Sequence, residues 1–209
     1  MNFSRFFSRQ ARKPAGLFGR FISSQIFEKG NVELNDLMSE TLGECEGEQL
    51  LEIGFGPGQL IKEIADQSKG VVIQGIDFSE PMFAIAAKKN RNHMKDGTVR
   101  LRLGNFDTAS FDDQCFDKIF TVNTIYFWKT PEATFGKISK LLKPGGRIYI
   151  GLHEKSEMES MPLDRDVFRY YSMEELKEML SASFEDIEVR SKPGKKRTSY
   201  CVMGTKPEA

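Results

Sequence analysis

The stretch from Gln49 to Leu60, QLLEIGFGPGQL, decides the fold of this chain. Its first half is a short, mostly apolar run, which is typical of a buried strand in a parallel sheet. Glycines then occupy alternate positions, and apolar residues recur at helical spacing after them. Glycine lacks a side chain and tolerates positive φ, so the backbone of such a turn approaches a ligand closely. The stretch therefore predicts a strand, a ligand-binding glycine turn and a helix.

The spacing between the glycines distinguishes this turn from the other glycine-rich turns that bind nucleotides. This chain has G-x-G-x-G with Pro57 inside the turn, and an acid, Glu52, two residues before the first glycine. Dinucleotide-binding turns have G-x-G-x-x-G instead, and the phosphate loop G-x-x-x-x-G-K-[ST] is absent from the sequence. The stretch resembles motif I of the S-adenosylmethionine-dependent methyltransferases with a Rossmann-like fold. The resemblance covers roughly residues 14–206 and implies S-adenosylmethionine as the cofactor.

The resemblance also implies which residues bind that cofactor. The glycines at 54, 56 and 58 are expected to line its methionine part, and Asn123 is expected near the sulfonium. The complete expected set is Glu52, Gly54, Phe55, Gly56, Gly58, Asp77, Phe78, Met82, Asn105, Phe106 and Asn123.

The next apolar run, residues 71–77, predicts a second strand that ends on Asp77. A carboxylate at the carboxyl edge of a doubly wound sheet accepts hydrogen bonds from both hydroxyls of a ribose. An acid at a strand end is also common on protein surfaces, but the distance from motif I favours the ribose role. Ser79 is suited to cap the following helix, and Pro81 to its first turn.

The third strand is predicted at 99–103, where apolar and polar residues alternate. It leads into Gly104-Asn105-Phe106-Asp107. Relatives often have Gly-Asp-Ala here, with the acid accepting the adenine amino group. Asn105 stands in that position, and its side-chain carbonyl accepts the same bond. We expect Phe106 to lie against the adenine ring, whereas Asp107 falls two places too late.

Residues 116–123 resemble the fourth strand of the family, motif IV, and an aromatic run follows from 123 to 128. Such a cluster is either part of the core or a wall beside the sulfonium methyl, which aromatic faces attract through cation–π contact. Tyr126 is a candidate catalytic residue within it. The tetrapeptide Asn-Pro-Pro-Tyr is absent, which argues against methylation of adenine N6 or glutamine amides.

The segment LLKPGGRIYI at 141–150 is the second mark of the family. Its glycines allow a sharp reversal between a helix and a fifth strand. His153 lies just beyond that strand, either as a catalytic base or as an exposed loop residue. Residues 154–171 predict a loop over the substrate side, from which Tyr170 and Tyr171 are expected to reach inward.

The C-terminal part predicts a helix and two last strands. Ser172-Met173-Glu174-Glu175 is a capping box that begins the helix. The basic turn from Lys192 to Arg197 between the strands is either a solvated hairpin or a phosphate contact.

Composition narrows the class of protein. The chain has 209 residues, enough for one domain with a substantial core. Thirty basic residues balance thirty acidic ones, which argues against a broad nucleic-acid footprint. No apolar run is long enough to span a bilayer. The three cysteines are scattered and without C-x-x-C spacing, so we expect no disulfide framework, no metal site and a cytoplasmic location.

The first 27 residues contain five basic residues, no acid and six interleaved phenylalanines. Three interpretations remain open: a mitochondrial transit peptide, an amphipathic membrane-surface segment, or a helical cap over the mouth of the domain. Small bacterial methyltransferases carry a segment similar to residues 14–20, followed by an asparagine near Asn31, and this resemblance favours the cap.

These expectations combine into one architecture. It is an α/β protein with a three-layer, doubly wound, Rossmann-like sheet of seven strands, the last antiparallel. A helical cap at 1–45 precedes the methyltransferase domain at 46–209. The leading hypothesis is methyl transfer to a small molecule by in-line displacement. The alternatives are methylation of RNA or a protein, and a cofactor-binding protein without transferase activity.

Overall fold

The computed structural model describes Ser8, Gln10, Arg12, residues 31–159, Met161 and residues 163–208. Most of the predicted cap, and with it the choice between a cap, a targeting segment and a membrane-surface segment, lies outside these residues. The described part of the cap region contains one long helix, Val32–Leu42. The assignment of 1–45 and 46–209 to cap and domain stays a prediction.

The elements follow one another in the alternating order of an α/β domain. In chain order they are α1 (Val32–Leu42), β1 (Gln49–Ile53), α2 (Gln59–Gln67), β2 (Val72–Asp77), α3 (Glu80–Lys89), α4 (Arg91–Lys95), β3 (Val99–Leu103), β4 (Phe116–Val122), a 3-10 turn (Ile125–Phe127), α5 (Pro131–Leu141), β5 (Leu142–Leu152), α6 (Lys155–Met158), α7 (Met173–Ser181), β6 (Glu185–Pro193) and β7 (Thr198–Thr205).

The seven strands form one sheet in the order β3-β2-β1-β4-β5-β7-β6. Neighbouring strands are parallel except at β7, which is antiparallel to both β5 and β6. The chain moves outward from β1 to β3 and then returns to pair β4 with the other side of β1. This reversal of strand order opens a crevice at the carboxyl ends of β1 and β4, where open α/β sheets bind their ligands. The predicted sheet and its antiparallel last strand are confirmed.

Helices cover both faces of the sheet, as a doubly wound fold requires. On one face α1 packs against β5 and β7, α2 against β2, and α3 against β2 and β3, with Leu37, Ile61 and Ala86 buried. On the other face α5 packs against β5 and α7 against β6, with Phe135 and Leu176 completely buried. The three-layer arrangement is thereby confirmed.

Local signals in the sequence place several element ends. The capping box is present: the Glu175 N–H donates to the Ser172 hydroxyl at 3.1 Å, and the Ser172 N–H donates to the Glu175 carboxylate at 2.8 Å. Helix α3 follows Ser79 as its N-cap and has proline in its first turn. No helix in the described ranges is long and apolar enough to cross a membrane.

The Pro-Gly-Gly reversal takes a different form from the predicted turn between a helix and a strand. Helix α5 ends at Leu141 and β5 begins at the next residue. Leu142 pairs with Phe116, and the next pair is Arg147 with Lys118, so the intervening residues interrupt the ladder. Gly145 has φ +70°, which accommodates this interruption.

Two glycines with the same backbone conformation differ in their surroundings. Gly58 and Gly47 both have φ +71°. A Cβ at Gly58 would lie 2.7 Å from Cβ of Ala86 on α3, whereas a Cβ at Gly47 would meet no atom within 4 Å. Gly58 therefore permits close packing between the glycine turn and α3.

We expect Gly58→Ala to lower the free energy of unfolding by about 2–5 kcal/mol, the sum of left-handed strain and overpacking. Gly47→Ala, the matched control, carries only the strain and should cost about 1–2 kcal/mol. Urea unfolding of the two variants measures the difference. Equal losses would show that the contact with α3 contributes nothing.

Candidate active site

A cavity of about 850 Å³ opens at the carboxyl edge of the sheet, across the crevice between β1 and β4. The ends of β1, β2 and β4 and the residues that follow β3 and β5 all contribute to its walls. One part is built by the glycine turn and the ends of β2 and β3. The other part is built by the aromatic run after β4, by residues around α6 and by the turn between β6 and β7.

The structure brings almost all of the expected cofactor residues together in the first part of the cavity. Those that line it are Glu52, Gly54, Phe55, Gly56, Asp77, Phe78, Met82, Asn105, Phe106 and Asn123. Gly58 is the exception, because it packs on α3 instead of lining the cavity. Its carbonyl accepts a hydrogen bond from Asn90 Nδ2 at 3.0 Å, so its place in the motif is structural.

Asp77 connects the glycine turn to the loop after β2. Its Oδ2 accepts the Gly56 N–H at 2.9 Å, and its Oδ1 accepts the Ser79 N–H at 2.8 Å. The side chain is only 8% exposed. Burial raises the pKa of Asp77 to about 6, although the two N–H donors lower it. Each carboxylate oxygen keeps a free lone-pair direction for further donors.

Glu52 lies on β1 two residues before the glycine turn and is 3% exposed. Its Oε2 is buried and has no hydrogen-bond partner among the described residues. Burial, and secondarily the charge of Asp77, raise the pKa of Glu52 well above its ordinary value. A buried acceptor without a partner is costly, so this oxygen suits a cationic or N–H-bearing group of a ligand.

The glycine turn has room for a side chain at Gly56 but none at Gly54. A Cβ at Gly54 would lie 2.4 Å from the Thr124 methyl group, whereas a Cβ at Gly56 would meet nothing within 4 Å. Gly56 lines the cavity with φ +50°. The open space beside this backbone fits a bound cofactor, as motif I implies.

The loop after β3 is held by a lysine that the sequence gave no reason to select. Lys137 Nζ on α5 donates to the carbonyls of Phe106 at 2.5 Å and Ala109 at 2.6 Å, and lies 4.7 Å from the Phe106 ring centre. Asn105 Oδ1 accepts the Asp107 N–H at 3.1 Å, so one lone pair of the carbonyl proposed for adenine is used within the loop.

Asn123 follows β4 in the left-handed conformation, with φ +55°. Its Nδ2 donates to Asn31 Oδ1 at 3.0 Å, and Asn31 also lines the cavity. The buried Oδ1 of Asn123 has no hydrogen-bond partner within the described part of the chain. Asn123 therefore combines a left-handed backbone with a buried, unpartnered amide oxygen in a residue that lines the cavity.

The two candidate catalytic residues have different surroundings. The Tyr126 hydroxyl donates to the His153 carbonyl at 3.0 Å and accepts the His153 N–H at 2.7 Å. Tyr126 is buried, which raises its pKa, and it does not line the cavity. Its hydroxyl thus holds the end of β5 in place.

His153 does line the cavity, and it is 7% exposed, in contrast to the exposed loop residue that was the alternative. Its Nδ1 is 2.8 Å from the Thr198 carbonyl. A carbonyl only accepts, so Nδ1 carries the proton and Nε2 of the neutral ring is an acceptor. Burial lowers the pKa of His153, although the Thr198 carbonyl raises it, and the neutral form is favoured.

The far wall of the cavity is apolar and aromatic. The rings of Phe127 and Phe168 make edge contact with centroids 4.7 Å apart. The apolar residues of this wall are Phe127, Trp128, Met158, Met161, Leu163, Val167 and Phe168. The predicted loop at 154–171 thus contributes to the cavity. Its tyrosines reach inward to the core instead of the cavity: Tyr171 is buried in the core, Tyr170 packs against it, and neither lines the cavity.

The structure also revises the basic turn between the last strands. Lys192 pairs with Glu40, and the Lys195 N–H donates to Glu33, so α1 holds the hairpin through its acids. Arg197 lines the cavity instead of facing solvent. The sequence names Arg197 only as part of the basic turn, because its place at the cavity depends on how the hairpin packs on α1 and α6.

Comparison with known proteins places the chain in a family. The family described as "Methyltransferase domain" matches residues 51–150. An uncharacterized methyltransferase of Bacillus subtilis, YdaC, is 30% identical over 186 residues, which are 89% of this chain and 98% of that protein. Phosphoethanolamine N-methyltransferase 2 of Caenorhabditis elegans is 34% identical over 125 residues, 60% of this chain but only 27% of the nematode protein.

A solved structure shows the same fold. Phosphoethanolamine N-methyltransferase 2 of Haemonchus contortus, in complex with phosphomonomethylethanolamine and S-adenosylhomocysteine, superposes with a TM-score of 0.70 at 19% identity. The match covers 86% of this chain and 54% of the other. The chain thus belongs to the S-adenosylmethionine-dependent methyltransferases with a Rossmann-like fold.

The buried Glu52 generates a prediction for the protein without ligand. The pKa of Glu52 is higher in the folded than in the unfolded state. The contribution of Glu52 to the free energy of unfolding is therefore fully present at low pH and is lost as the pH rises through the folded-state pKa. We therefore expect Glu52→Gln to raise the melting temperature at about pH 8, and the gain to vanish near pH 4.5. Glu46→Gln, at an exposed position, is the control and should change neither. A Glu52→Gln variant less stable at about pH 8 would contradict the prediction.

Proposed function

We propose that this chain transfers the methyl group of S-adenosylmethionine to a small molecule bound in the same cavity. The observation that carries the proposal is the continuity of the cavity. It runs from the glycine turn and Asp77, past Asn123, to the wall that contains Trp128 and His153. Its volume of about 850 Å³ lies within the range of about 300–1,000 Å³ that is typical of small-molecule sites.

The residues of the first part each have a task in binding the cofactor. Glu52 would accept from the ammonium group, the turn at Gly56 would lie along the methionine part, and Asp77 would accept from the ribose hydroxyls. Asn105 and Phe106 would flank the adenine. The fit is supported by the unpartnered oxygen of Glu52 and by the open space at Gly56.

The cofactor supplies a methyl group that is already activated, so the chain chiefly binds, orients and excludes water. Asn123 would fix the approach of the acceptor with its unpartnered oxygen, and the aromatic wall would keep water out. Where the acceptor must lose a proton, Nε2 of neutral His153 would take it. Tyr126 would act on the reaction only by holding the backbone at His153.

Charge and contacts favour a small acceptor over RNA or a protein. The chain carries no net charge, and the basic hairpin is partly neutralised by Glu33 and Glu40. The Caenorhabditis elegans relative is named as a phosphoethanolamine N-methyltransferase, and phosphoethanolamine is a small molecule. We also propose a cytoplasmic location, which is supported by the three free cysteines, Cys45, Cys115 and Cys201.

Calorimetric titration of S-adenosylhomocysteine at several pH values tests the cofactor half. Because the pKa of Asp77 is about 6, we expect binding about tenfold weaker at pH 5 than at pH 7, as the carboxylate loses its charge. Asp77→Asn should bind more weakly than the wild type at pH 7 and show a smaller pH dependence, the remainder coming from Glu52, whose pKa is also raised. Affinity that is the same at both pH values in the wild type would rule out ionised Asp77 as the ribose acceptor.

An acceptor screen tests the catalytic half. With labelled S-adenosylmethionine, we expect label to transfer to a small molecule from a metabolite extract, and His153→Gln to lower kcat by about 10²–10⁴-fold where the acceptor loses a proton. Transfer confined to RNA or protein fractions would favour the macromolecular alternative. Tight cofactor binding without transfer to any fraction would favour a binding protein.

A further inference from the structure

Arg197 occupies an unusual position for an arginine in a hairpin turn. It is half-buried and lines the cavity beside the apolar wall. Its Nη1 lies 2.9 Å from the Met161 sulfur and 3.6 Å from the Met158 sulfur. A thioether is only a weak acceptor, whereas a guanidinium has five N–H donors. Most of the hydrogen-bonding capacity of Arg197 is therefore unused by these contacts.

No carboxylate of the described residues forms an ion pair with Arg197, although acids are close in the fold. Glu33 and Glu40 of α1 bind other parts of the same hairpin. Glu157 of α6 accepts the Thr198 N–H at 3.0 Å. The acids around the turn thus hold its backbone and its lysine, and leave the guanidinium without a paired charge.

The environment of the guanidinium makes a ligand anion favourable. Charge interactions are stronger beside an apolar wall than in water, and a half-buried cation without a counter-ion is costly. The planar fork of arginine binds a carboxylate or a phosphate through two parallel hydrogen bonds. Arg12 and Lys129 also line the cavity, but both are exposed, as is the acid Asp166.

Arg197 is adjacent to the candidate base. Thr198, the next residue, provides the carbonyl that holds His153 Nδ1. The positive charge of Arg197 is also near enough to contribute to the lowered pKa of His153. An anion bound at Arg197 would therefore place the rest of its molecule near both His153 and the methionine wall.

We propose that Arg197 binds an anionic group of the methyl acceptor, a carboxylate or a phosphate, while the apolar part of the acceptor lies against Met158, Met161 and Phe168. This inference rests on the proposed function, because it takes the second part of the cavity as the acceptor site. It narrows the acceptor from any small molecule to an amphipathic anion.

Trp128 makes the proposal measurable without knowledge of the acceptor. It is the single tryptophan of the chain and lines the cavity, so its fluorescence reports occupancy. We would titrate the full chain, saturated with S-adenosylhomocysteine, with benzoate, phenyl phosphate and benzyl alcohol. The three probes share a ring and differ in charge. We expect at least one of the anions to bind about tenfold or more tightly than the alcohol, a difference of about 1.4 kcal/mol.

Variants assign the preference to one side chain. Arg197→Gln should bring the anions and the alcohol to similar affinity, and Arg197→Lys should retain part of the preference through its point charge. Lys196→Gln removes the neighbouring exposed charge, which does not line the cavity, and should leave the preference unchanged. The relative affinity of benzoate and phenyl phosphate separates a carboxylate site from a phosphate site.

Three results would overturn the proposal: equal binding of alcohol and anions, failure of both anions to saturate, or a preference that survives in Arg197→Gln. Affinity for S-adenosylhomocysteine is measured separately for every variant and serves as the check on folding. If the wild type does not bind S-adenosylhomocysteine, that result counts against the proposed function. The anion preference would then be measured without S-adenosylhomocysteine, and it would still test the role of Arg197.

Discussion

The site depends on one buried carboxylate and the two N–H groups that it accepts. Asp77 ends β2, yet its oxygens bind the backbone of the glycine turn after β1 and of the loop that begins α3. The strands fix only the ladder between β1 and β2, which ends at the pair of Ile53 and Ile76. Beyond that pair, Asp77 joins the two loops, together with the hydrogen bond from the Gly54 N–H to the Ile76 carbonyl.

This arrangement has an electrostatic cost that the fold tolerates. Asp77 and Glu52 are both buried at the same edge, and the charge of Asp77 adds to the desolvation of Glu52. Hydrophobic clusters on both faces of the sheet supply the stability against which this cost is set. Two buried carboxylates with raised pKa values are poor for stability but well suited to accept hydrogen bonds from a cationic, hydroxyl-rich cofactor.

The parts of the structure that the sequence predicted are those with local causes. A strand, a G-x-G-x-G turn and a helix are specified within twelve residues, and the capping box at Ser172 within four. The acid at Asp77 was found because parallel strands bring their carboxyl ends to a common edge. These rules need no knowledge of distant contacts, and they produced most of the cofactor side.

The remaining features arise from contacts between residues far apart in the chain. Gly58 carries the motif spacing of a ligand-binding glycine, but its role is set by Ala86 and Asn90 of α3. Lys137 holds the loop after β3 from a helix thirty residues later, and no pattern around it differs from that of a solvated lysine. Tyr126, in the 3-10 turn after β4, is satisfied by the backbone of His153, which follows the end of β5.

The same contrast explains why the acceptor side resists prediction. The proposed cofactor residues follow strand ends, whose positions the sheet fixes, whereas Met161, Phe168 and Arg197 reach the cavity from a loop and a hairpin. The hairpin is oriented by Glu33 and Glu40 of α1, and α1 also supports the cofactor side through Asn31, which precedes it and binds Asn123. One helix thus couples the two parts of the cavity. We therefore expect a change in α1 to move the proposed acceptor wall relative to Asn123 while the glycine turn and Asp77 stay in place.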